Sequence, residues 1–323
     1  MQDDGKARSN TGLFVWVSCS SYNKGMGEVL PFMPETDIAE VGWRLMAEQL
    51  AVIEMHLPAL LAEAEVTAVH ETRKAIRRTF TAFKLFRPFF EPGTLEPYRR
   101  QFKKMMRYLG QARDAAVFRH KLQIYSEESG QSLDCLAAYW EEQQAVMDDA
   151  LCAYMGKPGW AQFCQEYGRF TRTPGLHVLP YPKPDTPRAA AYHIPVLVYQ
   201  RLAGVRAYSD WLEDAPLERL HRLRIQGKEL RYTLQFFAPL LGPEIEPVEA
   251  ALELMQEHLG ALQDANIGLR LLGETAGCET AVAAYRAVIE GEIKQLAAAF
   301  PVIWDEVNSP VWRQNLAAAI AVL

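Results

Sequence analysis

Two phrases recur in this chain at nearly one spacing. His70-x-x-Arg73-Lys74-x-x-Arg77-Arg78 returns as His221-x-x-Arg224-x-x-x-Lys228-x-x-Arg231. Leu109-Gly110-Gln111-Ala112-Arg113-Asp114 returns as Leu259-Gly260-Ala261-Leu262-Gln263-Asp264. The histidines stand 151 positions apart and the aspartates 150. Two motifs held at one offset mark a duplicated unit, which restricts the fold to two equivalent halves.

The spacing inside each phrase is helical. At about 100° per residue, His70, Arg73, Lys74, Arg77, Arg78 and Lys84 share one side, and Ala75, Ile76, Phe80 and Phe83 take the other. In the second copy His221, Arg224, Lys228, Arg231 and Gln235 form the polar stripe, backed by Leu220, Leu223, Leu230, Leu234 and Phe237. Proline and glycine punctuation predicts helices over about 36–64, 67–90, 94–128 and 131–155, then about 187–209, 216–239, 244–274 and 277–299. No period-two strand pattern interrupts them. The expected fold is all-α: two antiparallel four-helix bundles, 36–155 and 187–300. Residues 156–186, which hold Pro158, Pro174, Pro180, Pro182 and Pro184, read as a linker. Residues 1–35 read as an irregular leader. Residues 301–323 form an apolar tail that either docks as an extra helix or covers a partner surface.

Charge distribution sharpens the picture. The chain carries a net −6, yet residues 70–113 hold twelve Lys or Arg against three Glu. The remaining 22 cations and 37 carboxylates net −15. An acidic protein that gathers its cations on neighbouring helices builds a local field for an anion. Arg99, Arg100, Lys103, Lys104 and Arg107 form a second cationic row whose opposite face holds Tyr98, Phe102, Met105 and Leu109. The five cysteines, Cys19, Cys135, Cys152, Cys164 and Cys278, are odd in number and lack a Cys-x-x-Cys pair. That pattern argues against a disulfide framework or zinc site, and for a reducing cytoplasm. No stretch is expected to reach the roughly 20 apolar residues of a membrane span. The run Gly12–Ser18 is too short for a secretory core and follows Asp3 and Asp4.

These phrases resemble the conserved histidine α-helical, or CHAD, domain. The likeness rests on Val69-His70-x-x-Arg73-Lys74-x-x-Arg77-Arg78, Leu109-Gly110-x-x-Arg113-Asp114, Leu220-His221-x-x-Arg224-x-x-x-Lys228-x-x-Arg231-Tyr232 and Leu259-Gly260-x-x-x-Asp264, across about residues 40–300. It implies two bundles related by a pseudo-twofold axis, with basic helices meeting at a central groove that binds inorganic polyphosphate. It further implies association with polyphosphate granules and with a polyphosphate-metabolising protein. Family members sometimes accompany a triphosphate-tunnel domain; the chain is expected to lack that domain's Glu-x-Glu-x-Lys signature and to be a solitary module. The copies also differ: Lys74 corresponds to Ile225, Arg78 to Glu229 and Phe80 to Arg231, so the second half offers the thinner cationic surface.

A polyphosphate needs a rail of cations rather than a pocket, because it is flexible and has no bases to read. The sequence-derived rail comprises His70, Arg73, Lys74, Arg77, Arg78, Lys84, Arg99, Arg100, Lys103, Lys104, Arg107, Arg113, His221, Arg224, Lys228 and Arg231. Arginine offers forked donors to phosphate oxygens, and lysine a mobile point charge. His70 and His221 either hold neighbouring side chains or donate to phosphate. No second histidine at ligand spacing supports a metal role. Asp114 and Asp264 are expected to orient cations of adjoining helices, and Gly110 and Gly260 to permit close helix approach or a kink. No nucleotide-binding glycine loop, serine triad or two-metal carboxylate cluster is present, so the expectation is a binding module rather than an enzyme, without cofactor or metal. A polyphosphate-processing enzyme and a general polyanion or RNA binder are the alternatives. The aromatics Phe80, Phe83, Tyr98 and Phe102 fall on core faces and leave no platform for stacking bases, which disfavours nucleic acid.

Overall fold

Ten α-helices fill the described residues, 32–323 without 182, 184, 185, 213 and 214, in a computed structural model. They are α1 (Ile38–Glu63), α2 (Val66–Phe86), α3 (Glu96–Ser129), α4 (Asp134–Met155), α5 (Pro158–Thr171), α6 (Ala190–Arg206), α7 (Leu217–Phe237), α8 (Ile245–Glu274), α9 (Glu279–Val307) and α10 (Pro310–Ile320). No strand occurs among these residues; two isolated β-bridges, Asp37 with Ala189 and Phe90 with Val178, tie loops together. The all-α class follows from the sequence as expected.

Local signals place the helix ends. Glu65 caps α2 by accepting from the backbone N–H of Thr67 and Ala68, each at 2.8 Å, which satisfies donors that a helix start leaves open. α3 ends at Gly130, whose φ of 66° suits a residue without a Cβ. Ser309 caps α10 through the Trp312 N–H at 3.0 Å.

The starts of α6, α7, α8, α9 and α10 follow those of α1, α2, α3, α4 and α5 by 152, 151, 149, 145 and 152 positions. Within each half, consecutive helices pack from first to fourth. Across the halves α1 meets α6, α2 meets α7, α3 meets α8 and α4 meets α9. Counterpart touching counterpart is the pattern that a twofold arrangement generates.

Each half carries a fifth helix, and here the structure corrects the linker reading. α5 lies inside the supposed linker and packs on α1, α3 and α4. Its Phe163, Tyr167 and Phe170 enter a ring cluster with Tyr98 and Phe102 of α3, at centroid distances of 4.9–6.4 Å. The prolines obscured it because Pro158 sits in the first turn, where a missing N–H costs nothing. α10 is its counterpart on α8, and the Trp312 indole donates to the Val248 carbonyl at 3.2 Å. The tail therefore docks on its own chain. Pro158-x-Trp160 and Pro310-x-Trp312, 152 apart, are the sequence signal of this fifth pair; both tryptophans are buried. α9 also runs through Pro301 to Val307, past the expected helix end at 299.

Three other expectations change. Cys135 and Cys278 form a disulfide between the start of α4 and the residue before α9, with Cα atoms 5.8 Å apart. They are 143 positions apart in sequence, so only folding shows the pair, and the argument from cysteines to a reducing compartment loses its premise. The bond staples the two halves beside a shared core of Phe118, Leu122, Trp140, Leu272, Tyr285 and Ile289. Secondly, Ile38–Ala62 is long and apolar enough to cross a membrane. In the fold its Val41, Leu45, Met46, Leu50, Ile53, Leu57 and Leu60 are core residues. Thirdly, Glu290-Gly291-Glu292-Ile293-Lys294 fits Glu-x-Glu-x-Lys, but it lies within α9. Spacing by two gathers side chains on one face only in a strand; on a helix it scatters them. The expected leader, apart from residues 32–35, lies outside the described residues, as do Gly12–Ser18 and Cys19.

Candidate functional site

Charges from both halves converge where α2, α3, α7 and α8 meet. α2 supplies Arg73 and Arg77, α7 supplies Arg224 and Lys228, and α3 and α8 supply Asp114 and Asp264. Arg77 and Arg224 lie close enough to Lys228 to oppose its protonation, and Arg77 acts on Arg224 in the same way. Asp114 and Asp264 feel each other across the junction. The set is pairwise equivalent: Arg224 follows Arg73, and Lys228 follows Arg77, by 151 positions.

This cluster is poorly hydrated and not neutralised. Burial lowers the Arg73 pKa to about 10, with Arg77 the next cause, and lowers that of Arg224. Burial, then Arg77 and Arg224, drive Lys228 down to about 6. Burial raises Asp114, while Arg73 and then Arg270 oppose the rise. Nη1 of Arg73 and Nε of Arg224 are buried without a hydrogen-bond partner. Among the described residues none of Arg73, Arg77, Arg224 and Lys228 forms an ion pair. Three guanidinium groups and a lysine that is mostly neutral near pH 7 face two carboxylates, which leaves an excess of positive charge and unused donors, a combination that costs stability unless an anion completes it.

Of the two repeated glycines, Gly110 makes room for this cluster. A Cβ on Gly110 would lie 3.0 Å from Nη1 of Arg73, and one on Gly260 would lie 3.4 Å from Nη2 of Arg224. At Gly110 the missing Cβ is thus space for the Arg73 guanidinium, whereas at Gly260 a Cβ would meet Arg224 in ordinary contact. Arg270 stands 3.8 Å from Asp114, and Arg73 lies close enough to oppose the rise in its pKa.

Other expected rail residues are divided by the fold. Arg113 is half-buried and close enough to His70 and Arg73 to lower the pKa of each. His70 is exposed at the rim, and its pKa is lowered by partial loss of water and then by Arg113. Nδ1 of His221 is buried without a partner. Lys74 turns outward to Glu71 at 3.2 Å. Arg78 donates to Gln235 at 3.1 Å and lies 4.9 Å above the Phe236 ring. Lys84 pairs with Glu229, and Arg231 pairs with Glu253 at 2.9 Å. One helical face therefore does not make one site: Arg78, Lys84 and Arg231 bind α7 or α8 partners that only tertiary packing supplies.

The second row on α3 remains available. Arg99, Arg100, Lys103, Lys104 and Arg107 are exposed. Arg99 reaches Glu96 at 3.6 Å and Arg107 lies 5.3 Å above the Tyr108 ring. Arg100, Lys103 and Lys104 form no ion pair among the described residues. Relative to Gly110, which faces Arg73, helical rotation puts Arg99, Lys103 and Arg107 within about 60° of the same direction, so they extend the central cluster outward.

The sequence reading missed Arg270 and Arg201, the latter 3.5 Å from Glu229. Position 120, the counterpart of Arg270 at the repeat offset, is His, so the duplication hides it. No group of three His, Cys, Asp or Glu side chains among the described residues is placed to hold a metal ion.

A family model described as the CHAD domain matches residues 44–273. Among solved structures, the CHAD domain from the plant Ricinus communis aligns with a TM-score of 0.75 at 21% identity, covering 87% of this chain and 94% of its own. PptA from Streptomyces chartreusis aligns with a TM-score of 0.64 at 14% identity, covering 84% of this chain and 100% of its own. No curated protein sequence matches. At these identities the structural likeness speaks to the fold.

Proposed function

Because this chain belongs to the CHAD domain family, which is associated with polyphosphate binding in general, we propose that it binds inorganic polyphosphate along its cationic groove and does so without chemistry. The observation that carries this reading is the convergence of Arg73, Arg77, Arg224 and Lys228, two from each half, with unused donors and no ion pair. Phosphate oxygens satisfy the buried guanidinium donors and relieve the repulsion that lowers Lys228. The exposed α3 row then follows the rest of the polymer.

The aromatics support phosphate over nucleic acid. Phe80, Phe83, Tyr98 and Phe102 are occupied with one another and with Phe163, Tyr167 and Phe170, so the rings beside the cationic rows offer bases no stacking platform. The two junction carboxylates sit among guanidinium groups, an environment that orients cations. A companion enzyme would supply any turnover, and the polymer would bring the protein to cytoplasmic granules if the Cys135–Cys278 pair is reduced there.

Gel retention of long-chain polyphosphate at low salt is the test. The intact chain retains the polymer and releases no phosphate with magnesium or manganese present. Joint replacement of Arg73, Arg77 and Arg224 by Gln weakens retention by about 100-fold, and added salt weakens it steeply because counterions are released on binding. Absence of retention by the intact chain refutes the proposal.

A further inference from the structure

The repeat offset that pairs Gly110 with Gly260 and Asp114 with Asp264 also pairs three exposed-row positions, and there the charge reverses. Arg99 corresponds to Glu249, Lys103 to Glu253 and Arg107 to Glu257, each 150 positions on. From its start to residue 107, α3 carries five cations and Glu96. From its start to residue 257, α8 carries Glu246, Glu249, Glu253 and Glu257 and no Lys or Arg. The fold repeats, but the two limbs that leave the centre have opposite sign.

Packing sharpens the difference. α3 and α8 meet through their later turns, where Phe118, Leu122, Leu271 and Leu272 share one core. Their first turns are the parts free to form separate limbs. On the α8 side the nearby cations are already engaged: Arg231 with Glu253 at 2.9 Å and Arg78 with Gln235 at 3.1 Å. Glu249 keeps a buried carboxylate oxygen without a hydrogen-bond partner. On the α3 side the reverse holds. Glu229 of α7, counterpart of Arg78, is held by Lys84 and by Arg201 at 3.5 Å, so it is unavailable to cancel the α3 row.

Resting on the polyphosphate reading, we propose that the groove is one-ended: the polymer runs from the central cluster outward along α3 only, and the α8 limb repels it. From Arg99 to Arg113 the limb extends about 21 Å at 1.5 Å per residue. Affinity therefore rises with chain length until this limb and the centre are covered, then levels off. A symmetric groove would go on gaining affinity over roughly twice that span.

Two triple variants of the full chain test this by titration with phosphate chains from tripolyphosphate to long polymer. In one, Arg99→Glu, Lys103→Glu and Arg107→Glu reverse the α3 limb; in the other, Glu249→Arg, Glu253→Lys and Glu257→Arg give the α8 limb its counterpart's residues. The α3 reversal lowers long-polymer affinity by about 100-fold and flattens the log–log salt slope by about 2. If circular dichroism shows that it fails to fold, the three Gln replacements at the same positions take its place with a smaller loss in the same direction. The α8 variant tightens long polymer by about tenfold, moves the plateau to longer chains and leaves tripolyphosphate within about twofold, because only the long chain reaches the new contacts. An unchanged length profile in the α8 variant, or undiminished binding in the α3 variant, overturns the one-ended groove while polyphosphate binding itself stands. Failure of the intact chain to bind any of these phosphates overturns both.

Discussion

Replacing Lys228 by Met tests the buried cationic centre without any ligand. Lys228 is half-buried and faces Arg77, Arg224 and Arg73, with Asp264 as the opposing charge; loss of water, then Arg77 and Arg224, lower its pKa from 10.5 to about 6. A base whose native pKa lies below its unfolded value is less protonated in the native state between the two. The unfolded chain then binds about one proton more, so stability rises with pH across that window and is flat below it. The slope for one proton is about 1.4 kcal/mol per pH unit, so the intact chain should gain roughly 3 kcal/mol on the Met variant between pH 7 and pH 9. Other titrating groups are common to both chains and largely cancel. Urea unfolding of both proteins at each pH measures the difference. Parallel pH profiles would refute the buried, depressed ammonium. With polyphosphate bound, the anion restores the ammonium, and calorimetry in buffers of different ionisation enthalpy should show the variant taking up about one proton fewer.

Two further perturbations probe the space around the cluster and the staple between the halves. Gly110→Ala pushes its Cβ to 3.0 Å from Arg73 and is expected to weaken polyphosphate retention several-fold, whereas Gly260→Ala meets Arg224 at an ordinary 3.4 Å and should leave retention unchanged. Gly260→Ala should also raise stability, by about 0.5–1 kcal/mol from helix propensity, as read by urea unfolding. Cys135→Ser with Cys278→Ser removes a link across 143 positions and should cost about 2–5 kcal/mol in urea unfolding under oxidising conditions, with no difference after reduction.

The duplication, the helix class and the residues of the centre were readable before any coordinates. Arg73 with Arg224, Arg77 with Lys228 and Asp114 with Asp264 stand at one offset on amphipathic helices, and periodicity and repetition are properties of sequence alone. The division of the cationic stripe was not readable. Arg78, Lys84 and Arg231 share a helical face with central residues, yet each is engaged by a side chain from another helix. A wheel reports direction about one axis and is silent about what approaches from outside. The same limit hid the Cys135–Cys278 bond, whose partners meet only when α4 packs on α9. It also hid the purpose of Gly110, whose missing Cβ matters because Arg73 of another helix fills that space. The fifth helices are an intermediate case: Pro158-x-Trp160 and Pro310-x-Trp312 announced them, but a proline-rich surrounding reads as a linker until Trp160 and Trp312 are seen in the core. Residue type and spacing thus determined which groups this protein could bring together. Packing of helices distant in sequence decided which charges were cancelled and which were left facing solvent or one another, because pairing energy depends on through-space distance.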